Sequence, residues 1–335
     1  MIKGWIAAAA IVIAGSAHAK EWQAAVGGQS PDGSSQLLAF LPNEFWIHTG
    51  DSIRWNFFGN EIHSVTFLKK DQVRPPNYSS TFGVEVGCGN PVSTPDGATY
   101  DGSSCVNSGN IPWRTNPSAS PSSYSVHFPA EGNFKFVCLV HVDQTGVVHV
   151  MNPADSLPHD QEYYDSEADL ERAVLLADTN RLRRAGKPLK GRVTAGIGEI
   201  VTTTGGGSQV ASLMRFLRET IVVRVGDTVE WTNLDPSIPH VVTFGEEPPD
   251  PRQPFNLLPP LPTGSDDGAR RAAIRSVGDR VSSGTLPPAS QDRVGLIQTS
   301  PGTTRFRVTF MVPGIFQYIC SIHDEHGMKG TVIVR

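Results

Sequence analysis

The feature that most restricts this chain is that it contains one pattern twice. "NEFWIHTGDSIRWNFFGNEIHSVTF" (43–67) runs alongside "ETIVVRVGDTVEWTNLDPSIPHVVTF" (219–244), which aligns Gly50-Asp51 with Gly226-Asp227, Trp55 with Trp231, His63 with His240 and Phe67 with Phe244. Further on, "EGNFKFVCLVH" (131–141) matches "PGIFQYICSIH" (313–323). The chain therefore reads as a tandem duplication. Within each copy, short runs alternate apolar and polar residues between Gly, Asp, Asn and Pro, the pattern of antiparallel strands in a β-sandwich. Composition points the same way: 33 Gly, 26 Pro and only 18% charged residues in 335 make a loop-rich, mainly β chain, long enough for two cores.

The alternation lapses between the copies. "DQEYYDSEADLERAVLLADTNRLRRAG" (160–186) has an acidic start, Leu170, Ala173, Val174, Leu175 and Leu176 at helical spacing, and a basic end with Gly186, so it reads as one helix. This places domain 1 at about 20–152, a helical linker at 153–190 and domain 2 at 191–335. Each copy also carries an insertion between its first histidine and its cysteine, at roughly 70–122 and 246–300. In the second of these "DDGARRAAIRSVGDR" (266–280) predicts a short helix.

The first nineteen residues, "MIKGWIAAAAIVIAGSAHA", have an early Lys, an apolar stretch and Ala17-His18-Ala19, a small-x-small cleavage signal. They predict a signal peptide, a mature chain beginning near Lys20 with no membrane span, and a periplasmic or secreted location. The apolar run from Trp5 to Ala14 is too short for an anchor. A net charge of −5 argues against nucleic acid as partner, because no basic stripe exists to neutralise phosphates. The densest basic run, "RLRRAGKPLKGR" (181–192), reads as a solvated helix end and linker.

Four cysteines in an exported chain could make two disulfides. Cys88 and Cys105 lie in "GCGNPVSTPDGATYDGSSC", a stretch too polar and Gly-rich to pack a core, and they are paired here as a disulfide whose loop closure is worth about 3 kcal/mol. Cys138 and Cys320 instead end the aromatic runs "GNFKFVC" and "GIFQYIC", and each has a histidine three residues later. In copy 2, His240, Cys320, His323 and Met328 supply two imidazoles, a thiolate and a weak thioether. That trigonal His2Cys set with an axial Met suits copper cycling between Cu(I) and Cu(II). One ligand comes from far upstream, so the sandwich must fold before the site exists.

These residues resemble the cupredoxins, the blue copper domains of the plastocyanin, pseudoazurin and amicyanin kind. The family's upstream histidine, then Cys-x-x-His and Met before the last strand, is matched by "PHVVTF" and "CSIHDEHGMKGTVIV". The resemblance covers about 240 residues and implies an all-β architecture: two cupredoxin-like Greek-key β-sandwich domains joined by the helical linker. It implies type 1 copper in domain 2. Copy 1 departs from the pattern: "CLVHVDQTGVVHV" keeps Cys138 and His141, with His63 upstream, but is two residues shorter and has no methionine. Aligning Gly146 with Gly330 puts Gln144 where Met328 stands. Glutamine is the axial ligand in the stellacyanin branch, which implies a second type 1 site of lower potential or, alternatively, a decayed one.

Two-domain relatives include nitrite reductases and multicopper oxidases, which wire a catalytic copper through a histidine directly before the cysteine. Here Val137 and Ile319 hold those places, and the sequence contains no His-x-His pair. The expectation is therefore an electron carrier, not an enzyme, that exchanges electrons with partner redox proteins. Copper storage or delivery is the alternative, although five Met, none clustered, are few for that role. His326 is expected to be a solvated loop residue or, alternatively, an exposed docking or proton-linked group. His48, His127 and His149 are expected to be plain strand residues, and His159 to lie in the linker.

Overall fold

The computed structural model describes residues 19–76, 86–89, 92–112, 120–246, 269–288 and 305–335. Residues 1–18 of the expected signal peptide lie outside them. Among the described residues, no helix is long and apolar enough to cross a membrane.

Each copy folds as two facing sheets. In the first copy one sheet orders Phe40–Leu41, Glu21–Val26, Ser52–Phe57, Ser123–His127 and Ala98–Thr99, with Glu21–Val26 running parallel to Ser52–Phe57. Its partner sheet brings Glu44–His48, Thr145–Met151, Gly132–Val137, Thr66–Phe67 and Val106–Asn107 together. The second copy repeats the plan. The strand Arg192–Thr202 runs parallel to Thr228–Leu234, and Thr220–Val223, Lys329–Val334, Gly314–Ile319, Thr243–Phe244 and Val281–Ser282 form the facing sheet.

Alternation sets the cores. In Ser52–Phe57, Ile53 and Trp55 turn inward, and in Thr228–Leu234 so do Val229 and Trp231, all wholly buried. Each tryptophan meets the duplicated aromatics of its own copy. Trp55 lies 5.7 Å from Phe67 and 5.3 Å from Phe136, while Trp231 lies 5.5 Å from Phe244 and 5.2 Å from Tyr318. Offset and edge-on ring pairs at these separations contribute beyond their buried area.

The copies are interleaved. The strand Ser35–Leu38, from the first copy, pairs antiparallel with Ser208–Leu217 of the second, and Leu38 is packed in the second core. Thr145 pairs with Ser208 and makes one sheet continuous across both copies.

The linker helix spans Gln161–Ala185, capped by the Asp160 side chain accepting from the Tyr163 amide at 3.0 Å. Its buried stripe is Tyr164, Ala168, Leu175, Thr179 and Leu182, whereas Leu170 and Val174 face solvent. The expected apolar face was thus shifted around the axis. Packing of Ala168 and Leu175 against Leu37, Ala39 and Ala211 explains this, because those residues come from both copies.

Both insertions supply edge strands. The Cys88–Cys105 disulfide is formed. The helix expected over 266–280 is not found among residues 269–280: Arg270–Ile274 is a strand, parallel to Arg305–Phe310. There the sheet edge offers a backbone ladder, and burial of Ala269 and Ile274 outweighs the helical preference of the Ala and Arg residues.

Candidate metal centres

Each upstream histidine is fixed by its copy's insertion. His63 exchanges both backbone hydrogen bonds with Ile111, at 2.8 Å each, and His240 does the same with Leu286, at 3.0 and 2.7 Å. Behind each imidazole lies a glycine with positive φ, Gly27 at +73° and Gly196 at +75°. An added Cβ would sit 2.6 Å from Nε2 of His63, and 1.9 Å from Nε2 of His240. These close approaches require glycine. They also leave Nε2 of His240 buried and without a hydrogen-bond partner.

Each cysteine stands one residue beyond a strand end and begins a closed loop. Cys138 N–H donates to the Gln144 carbonyl at 2.9 Å, and Cys320 N–H to the Met328 carbonyl at 3.0 Å. The sulfurs accept backbone N–H groups, Ser64 to Cys138 and Val241 to Cys320, both at 3.3 Å.

These loops bring the expected ligands together. In the first site Nδ1 of His63 and Nδ1 of His141 are 3.2 Å apart, and Sγ of Cys138 is 3.8 Å from Nδ1 of His141. In the second, Nδ1 of His240 and Nδ1 of His323 are 3.2 Å apart, with Sγ of Cys320 at 3.9 and 3.4 Å from them. Three N and S atoms that each lie ~2.0–2.3 Å from one ion are roughly 3.3–3.8 Å from one another. The donor sets therefore fit a trigonal metal, and these two are the His/Cys clusters of that kind among the described residues. All six residues are at most 5% exposed.

The fourth positions differ. Gln144 is fully buried; its Nε2 donates to the Ala39 carbonyl at 2.9 Å, which turns Oε1 toward Nδ1 of His63 at 2.8 Å and Nδ1 of His141 at 3.4 Å. Met328 is also fully buried in the second core.

Residues 202–335 match the family model for copper binding proteins of the plastocyanin/azurin family. Over this stretch the chain is similar to the cupredoxins. Among curated proteins none matches the chain. Similar solved structures are single cupredoxin domains. One is a Cu(I) mutant of amicyanin, 15% identical, over 39% of this chain and 82% of that one, with a TM-score of 0.23. A purple cupredoxin from Nitrosopumilus maritimus is 19% identical over 43% and 98%, with a TM-score of 0.23. Oxidised plastocyanin from Dryopteris crassirhizoma is 15% identical over 38% and 99%, with a TM-score of 0.21.

Beyond the expected ligands, the structure corrects one expectation at the site and adds a residue. His326 is neither solvated nor exposed for docking. It is 2% exposed, in the short helical turn Asp324–His326, with Nδ1 3.2 Å from Nε2 of Gln36 in the first copy. The short turn folds it back between the copies, where partners from both replace water. Beside it lies Glu61, which sequence reasoning passed over. Its Oε1 is 3.4 Å from Nε2 of His141 and its Oε2 is 3.3 Å from Nε2 of His326. Aligning His63 with His240 sets Glu61 opposite Ile238, and that replacement of an apolar residue by an acid was the available signal. His48, His127 and His149 do lie in strands, and His159 stacks on Tyr163 at the start of the helix.

Burial opposes charge at both sites, with opposite results. In the first, hydrogen bonds from His141 and His63 outweigh it and pull the Cys138 thiol well below its usual value, while Cys138 and Glu61 raise His141 to about 10. Burial would raise the Glu61 carboxyl too, but the His141 and His326 imidazoles hold it well below the usual carboxylate range. In the second, burial prevails and pushes the Cys320 thiol up to about 12, and burial together with His323 holds His240 well below its usual value.

Proposed function

We propose that the chain is an exported one-electron carrier with a type 1 copper site in each of two domains, 20–152 and 191–335, working outside the cytoplasm with redox protein partners. The observation that carries this reading is that the same convergence of two Nδ1 atoms and one Sγ occurs twice, the first of them with the buried Gln144 oxygen beside it. Site 2 would be held by His240, Cys320, His323 and Met328, and site 1 by His63, Cys138, His141 and the Gln144 oxygen. Bound copper supplies a Cu(I)/Cu(II) couple.

The protein's part is to keep the donors still. Sandwich strands, insertion bridges and loop-closing hydrogen bonds fix the histidines and cysteines before metal arrives, so little rearrangement accompanies a change of charge. Backbone N–H groups on the sulfurs stabilise the thiolates. The buried walls exclude water, and no acid–base pair or substrate cavity is required.

The test is copper content per chain of the loaded, oxidised mature protein, with visible and electron-spin-resonance spectra. Two coppers, both with a blue thiolate band and narrow hyperfine splitting, are expected. A chain holding no such copper would overturn the reading.

A further inference from the structure

A buried carboxylate with no ligand role is costly unless both its oxygens find donors. Glu61 finds them on two different copies. Nε2 of His141 faces Oε1 and Nε2 of His326 faces Oε2. The protons can be placed from the surrounding partners. The Gln36 side-chain atom near His326 is also 2.9 Å from the Gly33 carbonyl and 3.2 Å from Oε1 of Gln29, so it is the amide nitrogen, a donor. Nδ1 of His326 is then an acceptor, and the His326 proton sits on Nε2, pointing at Glu61. On the other side, when His141 is neutral, as a metal ligand must be, a proton on Nε2 leaves the Nδ1 lone pair free, and Nδ1 is the atom that faces Cys138 and His63. His326 follows His323, a ligand of site 2, by three residues; its N–H donates to the His323 carbonyl at 3.1 Å and the two rings are 6.0 Å apart.

We propose that Glu61 is a positioning residue that joins the two metal sites into one unit, orienting His141 for site 1 and, through His326, holding the ligand loop of site 2. This rests on the two-site copper reading above. A carboxylate on the outer nitrogen of a ligand histidine fixes its tautomer and raises its basicity, and loss of such a partner typically costs 10–100-fold in metal affinity. Glutamine cannot replace it: one amide oxygen cannot accept from two N–H groups while its own NH2 opposes one of them.

The experiment titrates Cu(II), against a competing chelator, into the metal-free full mature chain as wild type, Glu61→Gln, His326→Phe and the double variant, reading the site-1 blue band and potential, with circular dichroism as the fold control. Glu61→Gln is expected to lower site-1 affinity about 10–100-fold and raise the site-1 potential. His326→Phe should lower affinity less. The double variant should be no worse than Glu61→Gln alone, because His326 acts through Glu61. Unchanged affinity and potential in a folded Glu61→Gln chain, or strictly additive losses, would overturn the proposal. If Glu61→Gln does not fold, Glu61→Asp decides. It keeps the charge but is too short to reach both histidines, so it should still weaken site 1, and wild-type behaviour would overturn the proposal. A wild-type chain that takes up copper at site 2 alone would remove site 1 itself, an outcome separable from these.

Discussion

The two sites share three donor types, one loop design and one glycine behind the upstream histidine, yet their surroundings differ. Site 1 closes its loop in six steps, from Cys138 to Gln144, with an oxygen in the fourth position and a carboxylate against His141. Site 2 takes eight, from Cys320 to Met328, with a methionine where site 1 has Gln144, and has Ile238 where Glu61 stands. The lesson is that duplication preserved the donors while the neighbours diverged. In the first site hydrogen bonds from His141 and His63 outweigh burial and turn Cys138 toward thiolate, whereas in the second burial prevails and keeps Cys320 toward thiol.

The largest effect expected from breaking this comparison is at the cysteines. Cys320→Ser should remove the blue band of site 2 entirely and Cys138→Ser that of site 1, each with an unchanged circular dichroism spectrum. Persistence of the full band in either variant would show that its thiolate is not the ligand.

Next come the glycines. Gly196→Ala puts a Cβ 1.9 Å from His240 at a φ of +75°. The backbone cost alone is about 1–3 kcal/mol, and displacement of the ring should empty site 2 of copper. Gly27→Ala, with 2.6 Å to His63, should harm site 1 less. Thermal melts and copper counts of both variants check the order, and the reverse order would contradict it.

A subtler exchange is Gln144→Met. Replacing the oxygen donor by a thioether favours Cu(I) and should raise the site-1 potential toward that of site 2. Spectroelectrochemistry that finds no shift in a copper-loaded variant would mean Gln144 is not axial.

The smallest effect concerns the helix that lies across both copies. Glu171, bonded to Gln209 at 3.0 Å, has its carboxyl pushed up to about 7 by burial. The folded state therefore holds its proton more tightly than the unfolded chain, and stability should fall, by at most about 3 kcal/mol, as pH rises from about 4.5 to 7. Glu171→Gln should flatten that slope in denaturant unfolding of the metal-free protein, and an unaltered slope would contradict the assignment.

The residues that converge at the two candidate sites were legible because they repeat in sequence: Cys-x-x-His stands out against the strand alternation, and the duplication supplies its own alignment. The helix boundaries were legible from Asp160 and Gly186. Its buried face was not, since Tyr164 and Ala168 are chosen by residues of both copies that meet only after folding. Arg270–Ile274 was misread for a related reason, as a sheet edge is a tertiary partner that local propensity does not contain. Glu61 was missed and His326 misread as solvated because a contact between the copies leaves no spacing in either one.

The most direct test of the account is a redox titration of the fully copper-loaded mature chain, followed by the blue bands. The account predicts two separate one-electron steps, the lower belonging to site 1 and lost in Cys138→Ser. A single one-electron step, or a lower step that survives Cys138→Ser, would contradict it.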